Sequence, residues 1–300
     1  MILRVELNNF LRYGLHFWSA ATYDYYNVSF NIFREFLDSK EIYDLYPDII
    51  ADYVTYLRNY RKRDNSKLTN TSINTYLRSV HSFFNWALKN DLVSVDYFRN
   101  YHQLKSDQDQ IVPLSTTEVY AIDDIFNLRS TLDLRDYLIV HFMLDLGLRS
   151  QEVQHLKVNE LNFDKNFVVI NNSKYNKSRV VPLPVFLSIR TQAYIDLSGS
   201  IDNLFIQLNG KSINKNVIRT LFLKIKDKSG VSRVYPHMLR HTFATSYLVG
   251  GGNLEFLRLL LGHSSYAVTQ KYLHISNQFQ IIGSDIYRLD DIYFKKGYNK

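Results

Sequence analysis

Six residues of types that could do chemistry together fall in four segments of the C-terminal half of this 300-residue chain. Leu146-Gly-Leu-Arg-Ser-Gln-Glu-Val153 puts Arg149 at a helix start after a glycine turn, with Glu152 one turn beyond. Ser173-Lys-Tyr-Asn-Lys-Ser178 is a polar turn carrying Lys174 and Lys177. His237-Met-Leu-Arg-His-Thr-Phe-Ala-Thr245 sets His237 and Arg240 on one face of a helix. Leu261-Gly-His-Ser-Ser-Tyr-Ala-Val-Thr-Gln-Lys-Tyr-Leu-His274 supplies His263, Tyr266 and Tyr272. Guanidinium forks match the oxygens of carboxylates and phosphates, and lysine and histidine exchange protons. A tyrosine hydroxyl, with a pKa of about 10, becomes a nucleophile once its proton is accepted and its anion stabilised. Singly, each residue has a plainer reading: Arg149 as a salt-bridge partner, His237 and Arg240 as a surface pair, Lys174 as a solvated turn residue. Tyr272 is one of 23 tyrosines, most of which must serve the core or interfaces. Only order and spacing lift these residues above that background.

The elements that must position them are legible from periodicity. In the first hundred residues Ser19 caps a helix with apolar positions Tyr23, Tyr26, Phe30, Phe33 and Leu37. Pro47 opens a second with Ile50, Tyr53, Val54 and Leu57, and a third carries Ile73, Tyr76, Leu77, Val80, Phe83, Phe84, Ala87 and Leu88. Between the last two lies a basic stretch flanked by aromatics, with Arg58, Arg61, Lys62, Arg63 and Lys67; it suits a DNA backbone and equally suits a solvated loop. The polar, aperiodic run from Asn100 to Val112 reads as a link. It divides a helical domain over 1–105 from a second domain over 113–300, with 106–112 as the linker proper. The second domain opens on Ser115-Thr-Thr-Glu118, whose ends can satisfy each other's free amides at a helix start. An apolar helix over about Leu134–Leu146 follows, then a hairpin in which Phe167–Ile170 and Arg179–Leu183 flank the polar turn. Helices return after Pro184, with caps expected at Ser212 and Asn253. The fold class is therefore mainly α with one small antiparallel β-sheet.

Composition narrows the function classes. At 46% hydrophobic and 22% charged residues the chain can bury a core. The longest apolar stretch, Tyr137–Leu148, is broken by His141 and Asp145, which argues against a membrane partner, and the first ten residues do not read as a secretory signal. No cysteine is present, so neither disulfides nor thiolate metal sites arise, in keeping with a cytoplasmic protein. Residues 1–110 hold 13 basic and 13 acidic side chains, leaving 23 against 16 in the remainder. The surplus of +7 thus belongs to the C-terminal part. Basic surplus favours polyanions, since binding phosphates releases condensed counterions.

The ordered phrases "LGLRSQEV", "HMLRHTFAT" and "LLLGHSSYAVTQKYLH" resemble the boxes of the tyrosine recombinase (integrase) family, in which Arg, Lys, His-x-x-Arg, His and Tyr follow in that order. The resemblance spans about residues 112–275, and the N-terminal helices look more loosely like that family's core-binding domain. Length and layout are most similar to Xer recombinases and short mobile-element integrases. The resemblance implies a site-specific DNA recombinase that works through a 3′-phosphotyrosyl intermediate and a Holliday junction, with four protomers on two inverted-repeat DNA sites. It implies Arg149, Arg240 and His263 as the phosphate clamp, Tyr272 as nucleophile, His237 as acceptor of its proton and Lys174 as general acid to the leaving 5′ oxygen. Glu152 orients the site. Lys177 and Tyr266 are the nearby alternatives to Lys174 and Tyr272. The tyrosyl ester conserves the backbone bond, so no cofactor, ATP or metal is expected. Residues 273–300, rich in apolar side chains, are expected to be an assembly segment docking on a partner; the other expectation is that they fold back on their own domain. A type IB topoisomerase and a catalytically silent DNA-binding relative are the competing readings.

Overall fold

The computed structural model describes residues 3–105, 112–172 and 177–282, together with Ile286, Tyr287 and Leu289. The chain forms two compact units, Met1–Asp109 and Gln110–Lys300.

The first unit is built from α1 (Leu3–Leu15), α2 (Ala20–Ser39), α3 (Ile49–Asn59) and α4 (Asn70–Lys89). The last three are the helices that apolar periodicity marks out. Ser19 caps α2 by accepting from the Thr22 amide, and Thr69 caps α4 by accepting from Ser72. α3 begins two residues after Pro47, behind Asp48. α1 went unread because charges interrupt its run, yet Leu3, Leu7, Phe10 and Leu11 form one buried helical face. Aromatic rings fill this core: Phe10 meets Trp18 and Phe83 edge-on at centroid distances of 5.0 and 5.9 Å. The polar run after Asn100 is tied to α4 as far as it is described. The Asn74 side chain accepts from the Leu104 amide and the Tyr101 hydroxyl and donates to the Leu104 carbonyl. Residues 106–111 of the expected linker lie outside the described residues.

The second unit packs helices around α6 (Thr131–Leu144), which is buried on every side from Leu134 to Leu144. A helix so enclosed has no polar face, which is why no amphipathic stripe marks its limits. It starts earlier than expected, at a Ser130 cap, and ends at Leu144 rather than Leu146. α5 (Thr116–Asp123) precedes it with the capping box of Ser115 and Glu118 formed in both directions. After α7 (Ser150–His155) come β1 (Leu161–Asn162), β2 (Phe167–Asn172) and β3 (Lys177–Pro182), antiparallel in the order β1-β2-β3. Val168 faces Val181, and both are buried. The sheet leads into α8 (Val185–Ser198), α9 (Lys215–Ser229), α10 (Pro236–Val249), α11 (Leu254–Leu261) and α12 (Tyr266–Ile282). Asn253 caps α11 as expected. The cap expected at Ser212 is instead Asn214, which accepts from the Asn216 and Val217 amides. A cap must directly precede the first turn, and Ser212 lies too far upstream; its hydroxyl donates to the Gln154 carbonyl. No helix among the described residues is long and apolar enough to cross a membrane.

The segment after Tyr272 continues as helix to Ile282, and its described remainder turns back onto its own unit. Ile286 and Leu289 are buried, the Tyr287 amide donates to the Leu114 carbonyl, and its hydroxyl donates to Asp145 at 2.9 Å.

Candidate active site

Gly147 ends the α6 turn with φ +65, a conformation glycine adopts without strain. A Cβ there would stand 2.5 Å from the Phe243 ring, so backbone and α10 meet at a place only glycine fits. This close approach lets Arg240, from the middle of α10, donate to the Gly147 carbonyl at 2.6 Å and to the Leu261 carbonyl at 2.7 Å. Arg240 is 4% exposed. Burial and the neighbouring Arg149 lower its pKa, but a guanidinium stays charged at neutral pH.

Arg149 caps the start of α7 and is half-exposed. Its amide donates to Glu152 Oε2 at 2.8 Å and its Nη1 to Oε1 at 3.0 Å. Glu152 is shared with Arg179 of β3, whose two Nη atoms donate to the two carboxylate oxygens at 2.8 Å each. Arg179 also donates through Nε to the Leu260 carbonyl, tying the strand to the end of α11. Sequence reasoning missed Arg179. A lone guanidinium at the start of the apolar run Val180-Val181 was the available signal.

His263 follows Gly262, which closes α11 with φ +62. Arg240 Nη2 donates to His263 Nε2 at 3.0 Å, so that nitrogen accepts and Nδ1 carries the proton toward Thr269 Oγ1, 2.9 Å away. Burial and then the charges of Arg240, Arg149 and Arg179 push the His263 pKa down to about 3, in keeping with a neutral ring.

Tyr272 sits in the middle of α12 and is 6% exposed. Its ring lies parallel to that of His263 at a centroid distance of 6.4 Å. Its hydroxyl is 2.7 Å from Nδ1 of His241, a residue that sequence reasoning passed over. Burial raises the Tyr272 pKa, while Arg240 and Arg149 oppose the rise. Tyr266, the alternative, is exposed at the first turn of α12. His237 is exposed at the second position of α10; what burial it has, with Arg240 and Arg149, lowers its pKa. No hydrogen bond joins His237 to Tyr272 among the described residues. Lys174 lies outside the described residues.

The arrangement brings together three guanidiniums, of Arg149, Arg179 and Arg240, and among the described residues the carboxylate of Glu152 is the one that pairs with them, through Arg149 and Arg179. Such a site attracts an anion, and donors held in advance stabilise charge that develops on it. In the first unit, Arg58, Arg61, Lys62, Arg63 and Lys67 are all exposed. Arg58 lies in the last turn of α3, and Arg61 and Lys67 pair across a small antiparallel bridge, so the stretch from Arg61 to Lys67 is a defined turn. Among the described residues none of these five forms an ion pair.

The chain matches the phage integrase family over residues 117–278 and the phage integrase SAM-like domain over residues 8–103. It is 28% identical over 271 residues to tyrosine recombinase XerC of Listeria welshimeri, covering 87% of this chain and 89% of that one. It is 30% identical over 233 residues to a tyrosine recombinase of Pseudothermotoga lettingae, covering 76% and 78%. Among solved structures, the XerH site-specific recombinase in a post-cleavage complex with palindromic difH substrate superposes with a TM-score of 0.72, at 18% identity over 88% of this chain and 79% of that one. A lambda integrase dimer bound to a COC′ core site gives 0.73, at 15% identity over 91% and 95%. At these identities the two structures share the fold with this chain.

Proposed function

The chain belongs to the phage integrase family as a tyrosine site-specific recombinase, and we propose that Tyr272 is the nucleophile with which it opens and reseals DNA strands. The hydroxyl oxygen attacks a backbone phosphate seated between Arg149 and Arg240, forming a 3′-phosphotyrosyl ester and freeing a 5′ hydroxyl. Negative charge gathers on the non-bridging oxygens during attack, where paired guanidiniums are most effective. Arg149 is half-exposed and reaches the incoming phosphate first; Arg240 is already fixed by two carbonyls. His263 adds a hydrogen bond once the phosphate replaces Arg240 as the partner of its Nε2, which requires the proton to move to that nitrogen. Lys174 protonates the leaving 5′ oxygen, an effect worth about 10²–10⁴-fold.

The ester keeps the bond energy of the backbone, so the free 5′ hydroxyl of a partner strand can reverse the reaction. Repeated on two inverted-repeat sites held by four protomers, this exchanges strands through a Holliday junction. Arg58 at the end of α3 and the exposed basic turn at Arg61–Lys67 supply phosphate contacts from the first unit. The observation that carries this reading is a buried tyrosine beside a cluster of guanidiniums only partly neutralised by Glu152.

Incubating the protein with nicked duplex carrying its target site, then denaturing, traps the ester as a protein–DNA band. Tyr272→Phe should bind the duplex as the native chain does and give no band. A band from Tyr272→Phe would overturn the assignment and direct attention to Tyr266. Relaxation of supercoiled DNA without exchange between paired sites would instead identify a topoisomerase.

A further inference from the structure

The hydrogen bond of Tyr272 raises the question of where its proton goes. We propose that His241 takes the Tyr272 phenolic proton as the hydroxyl attacks, and returns it when the strand is resealed. This rests on the reading of Tyr272 as the nucleophile.

Geometry comes first. A proton acceptor must lie within hydrogen-bond reach of the proton it removes. His241 Nδ1 stands 2.7 Å from the Tyr272 oxygen, whereas His237, the residue expected in this role, stands one turn earlier on α10 with its ring 6.4 Å from that of His241. α10 and α12 pack against each other, so the pair is set by two helices and not by a loop.

Protonation follows. The groups facing His241 are His237 and Arg240 on its own helix, Tyr272 on α12 and His263 from the turn before α12. Burial, His237 and Arg240 hold its pKa down to about 4, so the imidazole is neutral, and we assign it the Nε2–H tautomer in which Nδ1 accepts the tyrosine's hydrogen bond. That environment keeps the free protein's tyrosine protonated. A DNA phosphate entering between Arg149 and Arg240 offsets the positive charge that depresses His241, raising its proton affinity when the substrate is in place.

The step balances. The Oη–H proton passes to Nδ1, an Oη–P bond forms, the P–O5′ bond breaks, and the leaving oxygen takes a proton from the general acid assigned to Lys174. The imidazolium left on His241 then faces an anionic phosphotyrosyl diester. During resealing the order reverses, and His241 reprotonates the departing tyrosine.

His241→Asn distinguishes proton transfer from mere seating, because the amide oxygen can stand near the place of Nδ1 and accept a hydrogen bond without taking the proton. Single-turnover adduct formation on nicked target duplex should slow about 100-fold or more at neutral pH, with duplex binding unchanged. The deficit should shrink as pH rises toward the tyrosine's own pKa, where solvent removes the proton. His241→Gln is read the same way if the asparagine variant does not fold. A ring-fluorinated tyrosine at position 272, with its more acidic hydroxyl, should partly rescue His241→Asn. Native rates in His241→Asn would overturn the proposal, as would a deficit that pH and fluorination leave unchanged. Tyr272→Phe run in parallel separates the two ideas. An adduct from it sinks the nucleophile itself, whereas its silence beside a fully active His241→Asn removes only the role of His241.

Discussion

Glu152 holds two arginines at once, and its loss would be felt by both. Burial works to raise its pKa, but the hydrogen bonds and charge of Arg179, with the amide and charge of Arg149, pull it down to about 2. A carboxylate depressed in the folded state contributes stability above its unfolded pKa of about 4.3. That contribution is lost as pH falls through the folded value, here between about pH 4 and pH 2. Glu152→Gln should therefore lower stability at neutral pH by about 3–5 kcal/mol, the usual cost of removing one partner from a buried ion pair. Thermal or denaturant unfolding should show the gap between variant and native chain closing as pH falls through that window. A gap that stays constant with pH would mean the carboxylate is not the source. Cleavage should also slow, since Arg149 loses the partner that aims it. At this scale the sequence was informative where residues sit in order within phrases, as with Arg149, Arg240, His263 and Tyr272. It was silent on Arg179, whose partner is distant along the chain. It was silent on His241 as well, because a histidine one turn after His237 reads as one more residue of the same helix face and gains meaning only when α12 brings Tyr272 to it.

Helix ends set the site, and two of them depend on glycine. The carbonyl of Gly147, at the turn between α6 and α7, accepts from Arg240, and Gly262 closes α11 so that His263 faces the same guanidinium. Gly147→Ala should be costly on two counts: a positive φ that alanine resists, and a methyl group 2.5 Å from the Phe243 ring. We expect a loss of at least about 1–3 kcal/mol and a larger fall in adduct formation than in duplex binding, since the clash displaces the carbonyl that fixes Arg240. Unchanged unfolding and cleavage would show that the turn can relax without moving the arginine. The elements were readable to the extent that each keeps a polar face. α2, α3 and α4 announce themselves by periodicity, and the β2–β3 hairpin by its polar turn. α6 has no polar face, so its limits were misplaced by two or three residues. The α9 cap was misassigned because both Ser212 and Asn214 are good cap residues, and only the start of the helix at Lys215 selects between them.

At the scale of the whole molecule, the segment beyond α12 is joined to a buried charge network. His141 lies between Asp145 and Asp123, at 2.6 and 2.9 Å. Burial works against its charge, but the two carboxylates prevail and raise its pKa to about 9. That contribution to stability is complete below the unfolded pKa of about 6.5 and is lost as pH rises through the folded value. Tyr287 donates to Asp145 from the far side, so docking of the segment reads out a carboxylate only two residues before Gly147. Apolar composition marked residues 273–300 as seeking a surface, and the expectation was a neighbouring protomer's, with the chain's own core as the alternative. For Ile286, Tyr287 and Leu289 the surface is the chain's own, and the residues that provide it, Leu114, Thr116 and Asp145, are too distant in sequence for pattern reading to pair. An assembly role would require the segment to exchange its own core for a partner's. Two changes separate these uses. Tyr287→Phe keeps the ring and removes the hydroxyl, and should cost about 1.5–3 kcal/mol in unfolding experiments, as expected for a hydrogen bond to a charged group. Truncation after Ile282 leaves α12 and Tyr272 whole, and should preserve binding to a single site while reducing the joining of two sites, read by sizing the protein–DNA complexes. Loss of single-site binding on truncation would mean that the segment serves the fold of its own unit. Undiminished recombination by the truncated chain would remove the assembly role.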